Sequence, residues 1–142
     1  MSIDELMAKP YWIIDLLPKQ VPANSAGQYF KVEQFFLKKI ETLVRKYCNI
    51  ILKMNCFCDI SLSHNGDEWV TNPDPETMES RIGACLNKKP TEQTLYIRIS
   101  SDSTLMVLER DCTYMTIYNP TEELLGMLRM LASSEGLFVW KP

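Results

Sequence analysis

Between Asn55 and Glu76 the chain reads NCFCDISLSHNGDEWVTNPDPE, and within a dozen of these residues lie Cys56, Cys58, Asp59, His64 and Asp67. His64 is the chain's only histidine. Such types at such spacing could hold a metal or arm a nucleophile. A structural zinc site takes four ligands, commonly as two closely spaced pairs. Here there is one C-x-C pair and no second one, and strand alternation would place Cys56 and Cys58 on the same face as Ile60 and Leu62. That face is a core face, where thiols are inert. No metal is therefore expected. A nucleophile would need His64 as its base, but the chain has no G-x-S-x-G elbow and the histidine falls in a turn.

Other chemistries fare no better. Asp59, Asp67, Glu68, Asp102, Glu109 and Asp111 are scattered carboxylates, with no D-x-D-x-D-G loop among them. Five glycines form no G-x-G or G-x-x-x-x-G-K cradle, so no nucleotide cofactor is expected. Lys38, Lys39, Arg45, Lys46 and Lys53 make a basic helix side, which reads first as a solvated face offset by Glu33 and Glu41. The aromatics carry more. Tyr96, Tyr114 and Tyr118 fall on the less apolar side of two strands beside Arg98, and Trp69 and Trp140 close two other elements. Tyr, Trp and Arg are enriched in protein interfaces, and equally at a sheet boundary covered by a helix. An RNA platform would use aromatics similarly, but no RNP-type motif is present.

The elements that must position these residues follow from periodicity. Ser2 is expected to cap a short helix through Ala8, with Asp4 and Glu5 in its first turn. YWIIDLL (11–17) lies between Pro10 and Pro18 and reads as a buried strand or strap. Residues 19–27 have loop composition. From Gln28 to Met54, Phe36, Ile40, Leu43, Val44, Tyr47, Ile51 and Met54 recur at helical steps with no internal Gly or Pro, so one long helix is expected. Cys56 to Ser63 alternates as a strand, Asn65-Gly66 predicts a type I′ hairpin, and residues 68–71 form its return. Asp74 and Pro75 start a helix that runs to about Leu86. Three alternating runs, 95–99, 105–109 and 114–118, make a meander. Asn119 with Glu122 resembles a capping box for a helix carrying Leu124, Leu125, Leu128 and Leu131, which Gly136 ends before a last strand at 137–140.

Together these predict one α+β domain over residues 1–142: a mainly antiparallel sheet of about five to seven strands, with one long helix and two shorter ones packed on one face. The hydrophobic fraction of 46% and charged fraction of 23% are ordinary for a globular chain. Net charge is −3, with eight Lys/Arg against five Asp/Glu through Met54 and seven against thirteen beyond it. An acidic chain without a concentrated basic face makes a nucleic-acid partner a poor expectation. No apolar run is long enough for a membrane span, the start is acidic where a signal peptide is basic, and five unpaired cysteines fit a reducing cytoplasm.

WIIDLLPKQVP (12–22), GQYF (27–30), NPDPE (72–76) and EGLFVWKP (135–142) resemble a small bacterial family of unknown function. The resemblance implies a bacterial source and no activity. Two functions remain: a non-enzymatic cytoplasmic protein-binding domain of immunity, adaptor or regulatory type, or a small-molecule or catalytic domain. For the first, Tyr96, Arg98, Tyr114, Tyr118 and Trp69 are the expected binding residues. The second would gather Asp59, His64, Arg98 and Tyr118 in a pocket. A homodimer is compatible with either.

Overall fold

The computed structural model of the protein describes residues 1–86, 94–99, 103–109 and 113–142. The turns and loop expected at 87–93, 100–102 and 110–112, with Asp102, Asp111 and Cys112, lie outside the described residues. In chain order the elements are α1 (Ile3–Met7), β1 (Tyr11–Asp15), α2 (Gln28–Leu37), α3 (Ile40–Asn55), β2 (Ile60–Ser63), β3 (Val70–Thr71), α4 (Pro75–Leu86), β4 (Thr94–Ile99), β5 (Thr104–Glu109), β6 (Met115–Tyr118), α5 (Glu122–Ser134) and β7 (Phe138–Trp140). The fold is α+β. Its seven strands form one antiparallel sheet in the order β3-β2-β4-β5-β6-β1-β7.

Strand alternation divides this sheet into two unlike faces. Register pairs Leu62 with Ile97, Ile97 with Met106, and Met106 with Ile117. All four are buried beneath Tyr47, Ile51 and Met54 of α3, Met78 and Ile82 of α4, and Leu128 of α5. The opposite face carries Tyr96, Val107, Thr116 and Ile13 along one cross-strand row, and Arg98, Leu105, Tyr118 and Tyr11 along the next. There α1 packs down, burying Leu6 completely against Leu105 and Val107. The expectation of helices on one face is thus corrected: the short N-terminal helix takes the other side. Its capping box, Ser2 with Glu5, has both reciprocal hydrogen bonds.

Several boundaries also differ from the sequence reading. The long helix is two helices, broken at Lys38–Lys39 without Gly or Pro. Most helical stability comes from packing an apolar face. Helix α3 buries seven residues, whereas α2 buries none and leaves Phe30 and Phe35 exposed, so nothing holds the two in one line. Helix α3 also runs on to Asn55, which removes Cys56 and Cys58 from the strand. In the turn after α3, Cys56 is exposed, and Cys58 is half-buried against the edge of the core.

The Asn65-Gly66 turn is not type I′, because only Gly66 takes a positive φ. Asn65 instead accepts three hydrogen bonds through Oδ1, from Ser63 Oγ and the amides of Asp67 and Glu68. The wider loop shortens the return strand to Val70–Thr71. A Cβ at Gly66 would meet Ile3 Cδ1 at 2.8 Å and push that side-chain end aside, so α1 packs closely on this loop, and the φ of +81 itself favours glycine. The cap of α5 is Thr121, whose hydroxyl accepts from the Leu124 amide, and not Asn119. Asn119 sits at φ +55 and donates to the Ser103 carbonyl. At the other end Gly136 (φ +73) closes α5, with Leu137 N donating to Ala132 O at 2.8 Å. Among the described residues no helix is long and apolar enough to cross a membrane.

Candidate binding groove on the open sheet face

Helix α1 is only five residues long and covers only part of its face. The rest of that face, over β5, β6, β1 and β7, is the floor of a groove of about 590 Å³. Ile13, Val107 and Thr116 form the floor, and Tyr11, Tyr114, Tyr118 and Trp140 rise from it. Met7 closes one side. Lys19, Gln20 and Val21 of the loop after β1, with Tyr29 of α2, close the other. Pro18 and Pro22 bracket these loop residues and stiffen the strap that lines the groove. Helix α2 buries none of its residues, but its Tyr29 lines the groove and hydrogen-bonds Glu33 and Thr113.

Two carboxylates line the groove. Glu109 is exposed at one end. Asp15, at 8% exposure, is buried. It terminates β1 with Oδ1 accepting from the Leu16 amide at 2.7 Å. Burial pushes its carboxyl above the usual 3.8, against the backbone hydrogen bonds of Leu16 and Leu17, and the Glu33 carboxylate adds to the push. Tyr29 shares this environment. Burial first, then the neighbouring Glu33 and Asp15, raises its phenol to about 12. Burial, with Glu109 next, raises the Tyr118 phenol as well. Tyr118 also packs on Tyr11, ring centroids 5.5 Å apart. The Trp140 indole Nε1 is buried without a hydrogen-bond partner among the described residues.

Beneath the groove, Tyr47 of α3 is completely buried and donates its hydroxyl to the Thr113 carbonyl at 2.6 Å and the Ile14 carbonyl at 3.3 Å. It ties the helical layer to the two strands that carry Asp15 and Tyr114.

The residues singled out in the sequence fall into three places. Tyr114 and Tyr118 line the groove. Trp69, Tyr96 and Arg98 gather at the corner beneath α1. There the Arg98 guanidinium lies 4.7 Å from the Trp69 ring and donates to the Met1 carbonyl, and the Trp69 indole donates to Gly66 O. Tyr96 packs against the α1 cluster. Asp59 and His64 lie at opposite ends of β2, about 16 Å apart at the usual strand rise. Asp59 accepts from Asn72 Nδ2, and His64 Nδ1 donates to the Thr94 carbonyl. Asp59, His64, Arg98 and Tyr118 therefore do not converge on one point. Among the described residues no group of three His, Cys, Asp or Glu could hold a metal ion.

Sequence reasoning passed over Asp15, Tyr29, Tyr11 and Lys19. The available signal was the alternation in YWIID, which puts Tyr11, Ile13 and Asp15 on one side and Trp12 and Ile14 on the other. A charge ending an apolar strand marks the side that faces a cleft. Comparison of the chain with protein-family models, curated proteins and solved structures returns no match, so the groove must be interpreted from its own chemistry.

Proposed function

We propose that the chain is a non-enzymatic cytoplasmic binding domain, of immunity, adaptor or regulatory type, whose open sheet face receives a segment of another protein. The observation that carries this reading is the aromatic groove itself. Tyr11, Tyr114, Tyr118 and Trp140 stand on a rigid sheet, and Tyr29 overhangs them. Tyr and Trp supply large contact area at small entropic cost, which is why they anchor interfaces. The covered corner of Trp69, Tyr96 and Arg98 flanks the groove on the same sheet face and fixes α1, whose Met7 is one wall. The groove volume also suits a small molecule, whose sites span roughly 300–1,000 Å³, and this is the second reading.

Affinity capture from host cytosol separates the two. Wild type and Phe57→Ser, a change at an exposed residue outside the groove, should retain the same protein. Tyr114→Ala combined with Tyr118→Ala should lose it while melting normally. Retention by all three baits places the partner elsewhere. A small molecule carried through native mass spectrometry, without a protein partner, replaces the first reading with the second. A self-associated complex would identify the partner as a second copy.

A further inference from the structure

Asp15 is a buried carboxylate in an aromatic groove, and its oxygens are met only by neighbouring backbone amides. The one ion pair among the described residues, Lys53 with Glu135, is elsewhere. The charge that acts on it is the Glu33 carboxylate, of the same sign. Lys19 lines the groove but is exposed at its rim. A buried carboxylate facing a second carboxylate is costly unless a cation arrives. The walls indicate which kind of cation. A divalent metal needs several oxygen ligands, and among the described residues no such set is assembled. Tyrosine and tryptophan faces instead attract guanidinium and ammonium groups, and their flanks accommodate an alkyl stem.

We infer that the groove selects a partner segment carrying an arginine or lysine, whose cation seats against Asp15 among Tyr29, Tyr114 and Trp140. The inference rests on the protein-docking reading above and adds the chemistry of what docks. The neighbours of Asp15 are Glu33 and Tyr29, both of α2, while Lys19 and Glu109 lie elsewhere along the groove. Among the described residues the Asp15 and Glu33 carboxylates lie together and no cation pairs with Asp15, which keeps this end of the groove receptive to positive charge. The partner's basic residue takes the place that Lys19 does not fill.

The test is selection from a random-peptide display library on the immobilised full chain, then titration of selected peptides. Wild type, Asp15→Asn and Tyr118→Ala are compared, each checked for folding by its melting curve. Selected peptides should require one Arg or Lys. Its replacement by citrulline or norleucine should weaken binding about tenfold, as should Asp15→Asn, and the two losses should not add. Peptides lost on Tyr118→Ala that need no basic residue, or that bind Asp15→Asn unchanged, overturn the cation assignment and leave the docking groove standing. Peptides indifferent to Tyr118→Ala overturn both. If Asp15→Asn does not fold, the citrulline peptide against wild type decides: unchanged affinity refutes the assignment. N-acetyl-arginine amide binding as tightly as the peptides would make the ligand a free cation and remove the partner segment. An empty selection, with no chemical-shift response to that amide, overturns both statements.

Discussion

Replacing Tyr47 by Phe removes one oxygen from the middle of the protein and leaves the ring that fills the core. The hydroxyl donates to Thr113 O at 2.6 Å and to Ile14 O at 3.3 Å, and the residue is fully buried. The shorter bond should carry most of the effect. A net intramolecular hydrogen bond contributes about 1 kcal/mol, and an acceptor left buried and unpaired costs about 1–3 kcal/mol. Thr113 is itself buried, at 8% exposure, so its carbonyl cannot turn freely to water. The expected loss is about 2 kcal/mol. A 142-residue chain has an unfolding entropy of about 300 cal/mol/K, so each kcal/mol moves the midpoint by about 3 °C. The variant should therefore melt about 6 °C lower, with an unchanged denaturant m-value because the surface exposed on unfolding is the same. Urea titration followed by circular dichroism measures both quantities. A loss below about 0.5 kcal/mol would show that the Thr113 carbonyl finds another donor, and that Tyr47 does not lock the helical layer to the groove strands.

Asp15→Asn should stabilise the unliganded protein at neutral pH, because the raised carboxyl value means that the fold prefers the neutral acid. The ionisation cost is absent below the unfolded value of 3.8, grows as pH rises through the higher folded value, and is complete above it. Paired urea titrations at about pH 3 and pH 7 should show the Asn advantage only at the higher pH, given the usual aspartate range; an equal difference at both would remove burial as the cause. Two glycines should respond with opposite sign. Gly126→Ala, inside α5 with nothing within 4 Å of the new methyl, should stabilise by about 0.5–1 kcal/mol. Gly136→Ala, at φ +73, should destabilise by about 1 kcal/mol. Thermal melts that move both the same way would contradict the cap geometry.

The layout of the sheet was legible because the alternating runs from Leu95 to Tyr118 leave a period of two little freedom. The register confirms it, with Leu95, Ile97, Met106, Leu108, Met115 and Ile117 all on the helix-covered face. The break at Lys38–Lys39 was not legible, since helical periodicity continues across it. Helix α2 buries no residue, with Phe30 and Phe35 left exposed, so the core that holds α3 does not extend the helix across the break, and that is a tertiary fact. The hairpin failed for a different reason. Asn-Gly favours a type I′ turn through the backbone, but Asn65 uses its side chain to collect three donors and so serves a wider loop. Asn119 misled in the same manner: its side chain is taken by Ser103, which left Thr121 to cap α5.

The candidate site was half legible, and the missing half has one origin. Tyr114 and Tyr118 announce a polar-aromatic strand face by local alternation alone. Which neighbours share that face depends on strand order. Strand β1 comes early in the chain yet inserts between β6 and β7, which come last. That insertion carries Tyr11, Ile13 and Asp15 alongside Tyr118 and Thr116 and opposite Trp140, joining residues more than a hundred positions apart. The histidine-containing stretch drew attention because its reactive types are close in sequence. Its members disperse to the two ends of β2, where Asn72 and the Thr94 carbonyl occupy them. Proximity along the chain favoured a site at β2. Pairing across the sheet instead places Asp15, the groove's buried carboxylate, beside aromatics that the chain order keeps far away. An unpaired carboxylate in such a setting raises the energy of the empty groove, and the same carboxylate strengthens the contact with whatever cation fills it.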